Sequence, residues 1–244
     1  MSVLYLVRHG QARFLTDDYD RLSDLGAEQS RCLGDYWRKE KMPIDRLWTG
    51  TLVRQKATAE HLVSAFAVDP ADAKETNAIT PLVAEGFNEY PAEAIQQSVA
   101  PQLAEKDANF AQRLEALAAE TDARQKYRQV HLVLEAVMEA WIDGAYDDPK
   151  LPSWPHFSTG VRDALQRAMK EAPKGSTTVV VTSGGPIGIA VQSVLRAPEQ
   201  EAARLNWRVY NASLTRFTFS GARVSLDQFN AIPHLSNARL RTYR

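Results

Sequence analysis

The sequence predicts an α/β fold of three α/β/α layers, with a mostly parallel central sheet, a helical insertion and a C-terminal antiparallel hairpin. Three stretches carry that expectation. Residues 3–7 are a short apolar run that ends abruptly in Arg8, His9 and Gly10. Such a run, with β-branched and aromatic members, reads as a buried strand opening into a loop. Far along the chain, the β-branched run Thr177–Thr182 passes through Ser183, Gly184, Gly185 and Pro186 into the apolar segment 187–195, a strand, a turn and a helix in succession. The last third holds strand-like runs at 213–219 and 223–229, joined through Ser220 and Gly221, which is hairpin spacing.

Between these landmarks the elements follow in order. Residues 11–20 are polar and include Asp17, Asp18 and Asp20, composition suited to a loop over the strand edge; Arg13 is expected to be solvated there. Ser23 and Gly26 introduce a helix through about Lys41, with Leu33, Tyr36 and Trp37 on one face and Pro43 beyond its end. Residues 44–48 form a short second strand, and Thr49, Gly50 and Thr51 turn into a helix with Leu52, Ala59, Leu62, Val63 and Phe66 on its apolar face. An acidic connector at 68–77 leads to a third strand at 79–83. From about Pro91 the pattern turns helical: Phe110, Leu114 and Leu117 mark one helix, and Tyr127, Val130, Leu134, Val137, Met138 and Trp141 keep helical spacing along another. That second stripe is expected to be core, with His131 a structural residue beside it. Residues 144–154 read as a loop returning to the main body, and Phe157, Val161, Leu165 and Met169 outline a further helix. We therefore take residues 1–244 as one domain, with 95–154 as an insertion placed to cap the open sheet edge or to flank it.

Composition sets bounds. The chain has 244 residues, 44% of them hydrophobic, enough for one large α/β unit with a sizeable core. The formal net charge of −1 gives no basic footprint for nucleic acid. No charged-then-apolar leader opens the sequence and no apolar run approaches a membrane span, so no membrane partner is expected and the expected compartment is the cytoplasm. Cys32 is the single cysteine and is expected to be a buried, inert thiol. The histidines are scattered, and no metal or other cofactor is expected.

The chemistry-bearing residues gather where strands end. Open α/β sheets place ligands at the C-terminal edge of their strands, and there Arg8 and His9 pair a phosphate-clamping cation with a nucleophilic imidazole; a structural strand end with a salt-bridged arginine is the plainer reading. Arg54 sits in the first turn of its helix, where the dipole disfavours a cation, so it asks for a compensating anion, either a carboxylate or a bound phosphate. Glu89, with Glu85 in reserve, offers an acid for a departing oxygen, although a glutamate of this kind is more often simply solvated. The glycine turn before residue 187 makes an anion site from an exposed helix N-terminus.

Taken together, Arg8-His9-Gly10, Arg54, Glu89 and residues 183–186 resemble the histidine phosphatase superfamily, the phosphoglycerate-mutase-like proteins, over most of the chain outside 95–160. The resemblance makes Arg8-His9-Gly10 the family's signature at the end of the first strand, Thr51 through Ala59 its second arginine motif, Phe87-Asn88-Glu89 its acid motif, and Asn211-Ala212-Ser213 a further family feature. It implies a metal-independent phosphatase, without cofactor, that cleaves a small phosphoester through a phosphohistidine on His9. Arg8 and Arg54 would hold the phosphoryl oxygens, Glu89 would protonate the leaving group, and Gln11, Gly10, Ser183 and Gly184 would contact the substrate. Two departures stand against the pattern. Position 183, a second histidine in the family, is serine here, which donates one hydrogen bond and no charge; loss of a transition-state donor costs on the order of 10²- to 10³-fold in rate. His234 is late enough to fold back but is expected to be structural. The asparagine that mutases and many phosphatases of the family carry six residues after the nucleophile is Leu15, which argues against phosphoglycerate mutase-type transfer. A phosphate-binding pseudo-enzyme, impaired through Ser183, is the alternative from outside the enzyme class. The substrate's identity and the oligomeric state are not set by these residues.

Overall fold

The computed structural model describes residues 1–13, 20–67, 79–146 and 148–243. Strands β1 (Ser2–Arg8), β2 (Arg46–Thr49), β3 (Leu82–Val83), β4 (Thr177–Thr182), β5 (Leu214–Ser220) and β6 (Arg223–Ala231) form one sheet in the order β3-β2-β4-β1-β5-β6. β1, β2, β3 and β4 run parallel, while β5 lies antiparallel to β1 and β6 antiparallel to β5. This is the predicted mostly parallel sheet closed by a C-terminal hairpin, and Gly221 at its turn takes φ +58°, a conformation glycine adopts without steric cost.

Side-chain alternation along the central strands builds the layers, because successive residues of a strand face opposite sides. Tyr5, Val7, Val179 and Val181 pack with Leu33, Trp37, Ala59 and Leu62 from α1 (Asp24–Lys39) and α2 (Val53–Phe66). Leu4, Leu6 and Val180 face the opposite side, against a core shared by α3 (Ala92–Lys106), α4 (Ala108–Ala119), α5 (Ala123–Ile142), α6 (Trp154–Lys170), α7 (Gly184–Leu195) and α8 (Gln200–Asn206). β4 is buried along its whole length, as expected of a central strand. Each fully buried valine there contributes roughly 1.5–3 kcal/mol of transfer free energy.

Several boundaries differ from the sequence expectation. Helix α1 stops at Lys39, and Lys41, expected inside it, is left-handed at φ 51°. β3 spans two residues and not the whole of 79–83. α6 begins at Trp154, at the end of the expected loop, because the Ser153 hydroxyl accepts the His156 N–H and Pro155 occupies an early helical position. α7 opens at Gly184, ahead of the expected apolar segment 187–195. α8 carries no clear apolar period and was not expected. Cys32 is half-buried, not buried, and burial first among several causes raises its thiol pKa. The stripe on α5 is core at Val137, Met138 and Trp141 but runs out toward the helix start, where Tyr127 is 53% exposed. The connector at 68–77 and Leu15 lie outside the described residues. Among the described residues no helix is long and apolar enough to cross a membrane.

The parallel register sets the position of everything that follows. Arg8 pairs with Thr182 and Thr49 with Val181, so β1, β2 and β4 all end at one edge of the sheet. The loop after β1 is held tightly against α1: a Cβ on Gly10 would lie 2.3 Å from the Gly26 carbonyl oxygen, and one on Gly26 only 2.1 Å from that of Gln11.

Candidate active site

His9 stands at the C-terminal end of β1, 4% exposed. Its backbone is fixed from behind: its N–H donates to the Thr182 carbonyl, and its own carbonyl accepts from the Ala212 N–H and the Asn211 side-chain amide, both at 3.3 Å. Its ring is fixed by two contacts. Nδ1 lies 2.7 Å from the Gly10 carbonyl oxygen, and Nε2 accepts from Arg54 Nε at 3.2 Å. A carbonyl can only accept and a guanidinium can only donate, so the two contacts together assign the tautomer: Nδ1 carries the proton and Nε2 presents a lone pair. Burial, then Arg54, then Arg8 push the His9 pKa well below its ordinary value, against the Gly10 contact. A neutral imidazole with Nε2 unprotonated is the form that can act as a nucleophile.

Arg54 occupies the first turn of α2 and is 7% exposed. The anion that its position asks for is Asp20. One carboxylate oxygen accepts from Arg54 Nη1 at 2.7 Å and the other from the Val53 N–H at 2.9 Å. Leu52, the residue before the helix, has no side chain able to cap it, so Asp20 both caps α2 and neutralises its misplaced cation. A phosphoryl group entering beside His9 would meet the same guanidinium and compete with Asp20 for its donors. The Thr58 hydroxyl, one turn further on, donates to the Arg54 carbonyl and accepts the Gly10 N–H at 3.0 Å. The β1 loop is thereby tied to α2.

Arg8 reaches across to the Val209 carbonyl oxygen, which accepts from its Nη1. Glu89 follows the short 3₁₀ turn Glu85–Phe87 and lies over the start of α7, where one carboxylate oxygen accepts the Gly185 N–H at 3.1 Å. Gly185 has to be glycine for this: a Cβ there would lie 2.1 Å from Glu89 Oε1 and 2.9 Å from the Tyr90 ring. Burial dominates the Glu89 pKa and raises it above the ordinary carboxylate value, although the Gly185 N–H, Arg54 and Arg8 each pull it down. Arg54 and Arg8 thus act electrostatically on both His9 and Glu89. The structure brings these four side chains to one strand edge.

The other expected site residues are placed as follows. Gly10 lends His9 its carbonyl. The Gln11 N–H donates to Gln29 Oε1 at 2.8 Å, and its side-chain oxygen accepts from the Ser23 hydroxyl at 2.9 Å. Ser183 has no exposed surface, and its hydroxyl accepts from Gln55 Nε2 at 2.8 Å. Gly184 packs so closely on Asn206 that a Cβ would lie 1.8 Å from its Oδ1. Glu85, the reserve acid, is exposed. His234 packs its ring against Tyr36, and burial takes its pKa down to about 4. Among the described residues no three His, Cys, Asp or Glu side chains converge as metal ligands.

Sequence reasoning missed Asp20, Gln55 and Asn206 as partners of the site. For Asp20 a signal existed, since a cation in a first helical turn demands an anion. Gln55 and Asn206, which bind Ser183 and the Tyr90 hydroxyl, had none.

Comparison with known proteins places this geometry in a context. A family model described as histidine phosphatase superfamily (branch 1) matches residues 4–138 and 133–232. Comparison with curated protein sequences gave no match. Among solved structures, YhfR of Bacillus stearothermophilus is 16% identical with a TM-score of 0.63, the alignment covering 97% of this chain and 100% of that one. Phosphoglycerate mutase from Bacillus anthracis is 15% identical with a TM-score of 0.61, covering 96% and 95%. A mycobacterial glucosyl-3-phosphoglycerate phosphatase is 18% identical with a TM-score of 0.60, covering 94% and 98%. At these identities the likeness is one of fold.

Proposed function

Because the chain belongs to the histidine phosphatase superfamily, branch 1, we propose that it is a phosphohydrolase that cleaves a phosphoester through a covalent phosphohistidine on His9. The observation that carries this reading is the paired state of the site. A buried histidine is held neutral with Nε2 as its lone pair, and a glutamate beside the same two arginines has a pKa that is raised, not lowered. A histidine disfavoured as the cation beside a carboxyl disfavoured as the anion divides the roles of nucleophile and proton donor between them.

In the proposed reaction His9 Nε2 attacks phosphorus, forming an N–P bond as the ester P–O bond breaks. Glu89 gives its proton to the departing oxygen. Water then attacks the phosphohistidine, Glu89 takes up a proton from it, and phosphate leaves with Nε2 restored. Arg8 and Arg54 bind the phosphoryl oxygens throughout, supplying the charge stabilisation on which phosphoryl transfer chiefly depends. Gln11 and the backbone at Gly10 and Gly184 are proposed to complete the phosphoryl pocket. Helices α3–α5 are proposed as the part of the fold that meets the leaving group.

A second reading is favoured by one specific observation. Ser183 brings no charge, and its hydroxyl is turned onto Gln55, so the chain would bind a phosphorylated ligand and turn it over slowly or not at all. Phosphate release from phenyl phosphate separates the two. We expect multiple turnovers at a rate unchanged after exhaustive dialysis against EDTA, since both cationic groups are side chains. No release above background from saturating ester would favour the binding protein, and loss on chelation would overturn the metal-independent reading.

A further inference from the structure

The start of α5 and the segment after α8 form the walls of a cavity of about 640 Å³. That second wall runs directly on, in sequence, to residues that touch the proposed reaction centre. Trp207 and Arg208 line the cavity, the neighbouring Val209 carbonyl accepts from Arg8, and Asn211 holds the His9 carbonyl. Tyr243 lines it too, and its ring stacks on that of Tyr210 at 4.1 Å.

Its lining has two properties at once. Arg124, Arg128 and Arg208 face it with Glu135 as the one acidic lining residue, and all three arginines are exposed. None of their guanidinium groups has a hydrogen-bonding or ion-pair partner among the described residues. The rings of Tyr127, His131 and Trp207 form a ladder through the same wall, edge to face, with centroids 4.8 and 5.8 Å apart. Tyr127 is 53% exposed, at the outer end of a stripe that is fully buried only from Val137 on, and its ring contact there is the one with His131.

We infer that this groove is the leaving-group site, and that it selects phosphoesters whose leaving group carries a planar ring and a second anionic group, phosphate or carboxylate. The inference rests on the phosphatase reading above and deepens it. Guanidinium groups bind phosphate and carboxylate through paired, charge-assisted hydrogen bonds, and exposed aromatic faces take a ring by stacking. A cavity of this volume suits a ligand of drug-like size. A leaving group of three or four carbon atoms would fill little of it.

Adenosine 3′,5′-bisphosphate is a probe with both features, and phenyl phosphate has a ring without the second anion. We expect the native chain to prefer the bisphosphate in kcat/KM, and Arg124→Gln/Arg128→Gln to reduce that preference by about tenfold or more, as loss of one or two charge-assisted hydrogen bonds implies. Circular dichroism melting would show that the double variant is folded; Tyr127→Ala, which removes no charge, is a second probe of the same groove and should lower kcat/KM for both ring-bearing esters. A native preference near unity, one that survives the double variant, or kcat/KM for both esters unchanged in Tyr127→Ala would overturn the inference. If neither ester is hydrolysed, the phosphatase reading fails by itself, and calorimetric binding of the bisphosphate decides the groove: binding weakened in the double variant sustains it, and binding equal in both proteins or absent from both overturns it.

Discussion

Replacing His9 with alanine is expected to abolish turnover, lowering phosphate release by roughly 10⁴- to 10⁶-fold, as removal of a catalytic nucleophile does in other covalent mechanisms. The size of the effect follows from there being no second candidate. The other four imidazoles are engaged elsewhere: His234 packs on Tyr36, His131 lies among the rings of Tyr127 and Trp207, His61 stands further along α2 beside Arg31 and Glu60, and His156 is exposed at the start of α6. The substitution should leave the rest of the site standing. The groups that fix residue 9 from behind bond to its backbone, and Arg54 keeps its pairing with Asp20. The variant should therefore melt as a folded protein and still bind inorganic phosphate through Arg8 and Arg54. Activity within tenfold of native in His9→Ala would show that the nucleophile lies elsewhere.

Glu89→Gln carries the second large effect, and its signature is a dependence on the leaving group. A general acid contributes about 10²- to 10⁴-fold, so release from an alkyl phosphate should fall by that amount. Release from 4-nitrophenyl phosphate, whose leaving group departs without a proton, should fall far less. The pH profile supplies a separate check. His9 must be neutral to attack, so activity is lost as pH falls through its pKa, and burial with two neighbouring cations holds that value well below 6.5. Glu89 must be protonated to act, so activity is lost as pH rises through its pKa, which burial lifts above 4.5. The two shifts run toward each other, which favours neutral His9 together with protonated Glu89, and kcat/KM in the native protein should decline as pH rises through the Glu89 value. In Glu89→Gln the alkaline limb should disappear. Glutamine keeps one side-chain oxygen to accept the Gly185 N–H but loses the acceptor that Glu89 Oε1 offers the Tyr90 N–H, so thermal melting of the variant is needed to separate the lost proton from the lost hydrogen bond. An unchanged profile with a uniform loss on both substrates would assign Glu89 a structural role.

How much of this site was legible in the sequence depended on how local each signal was. Arg8, His9 and Gly10 form one tripeptide at the end of an apolar run, and the parallel register then carries Arg54 and Ser183 to the same edge. A helix-dipole argument was enough to say that Arg54 needs an anion. It was not enough to choose between Asp20 and a substrate phosphate, because Asp20 is remote in sequence and its approach depends on the path of the β1–α1 connection. The glycines before residue 187, which form the first turn of α7, are expected from the sequence to offer their amides to phosphate. The structure spends the Gly185 N–H on Glu89, a long-range contact that no local pattern encodes. The aromatic and cationic groove was misread for a related reason: Tyr127 continues the apolar period of α5, and only the end of the core shows that the period outlasts the packing.

The central claim is the covalent intermediate. The most direct test mixes the native chain with phenyl [³²P]phosphate for milliseconds, quenches in alkali, which preserves phosphohistidine, and maps the label by mass spectrometry of the digested chain. The account predicts label on His9, formed and discharged at rates compatible with turnover and absent from His9→Ala. Steady release of phosphate with no label on the protein at any time would contradict it, because the ester would then be cleaved by direct attack of water.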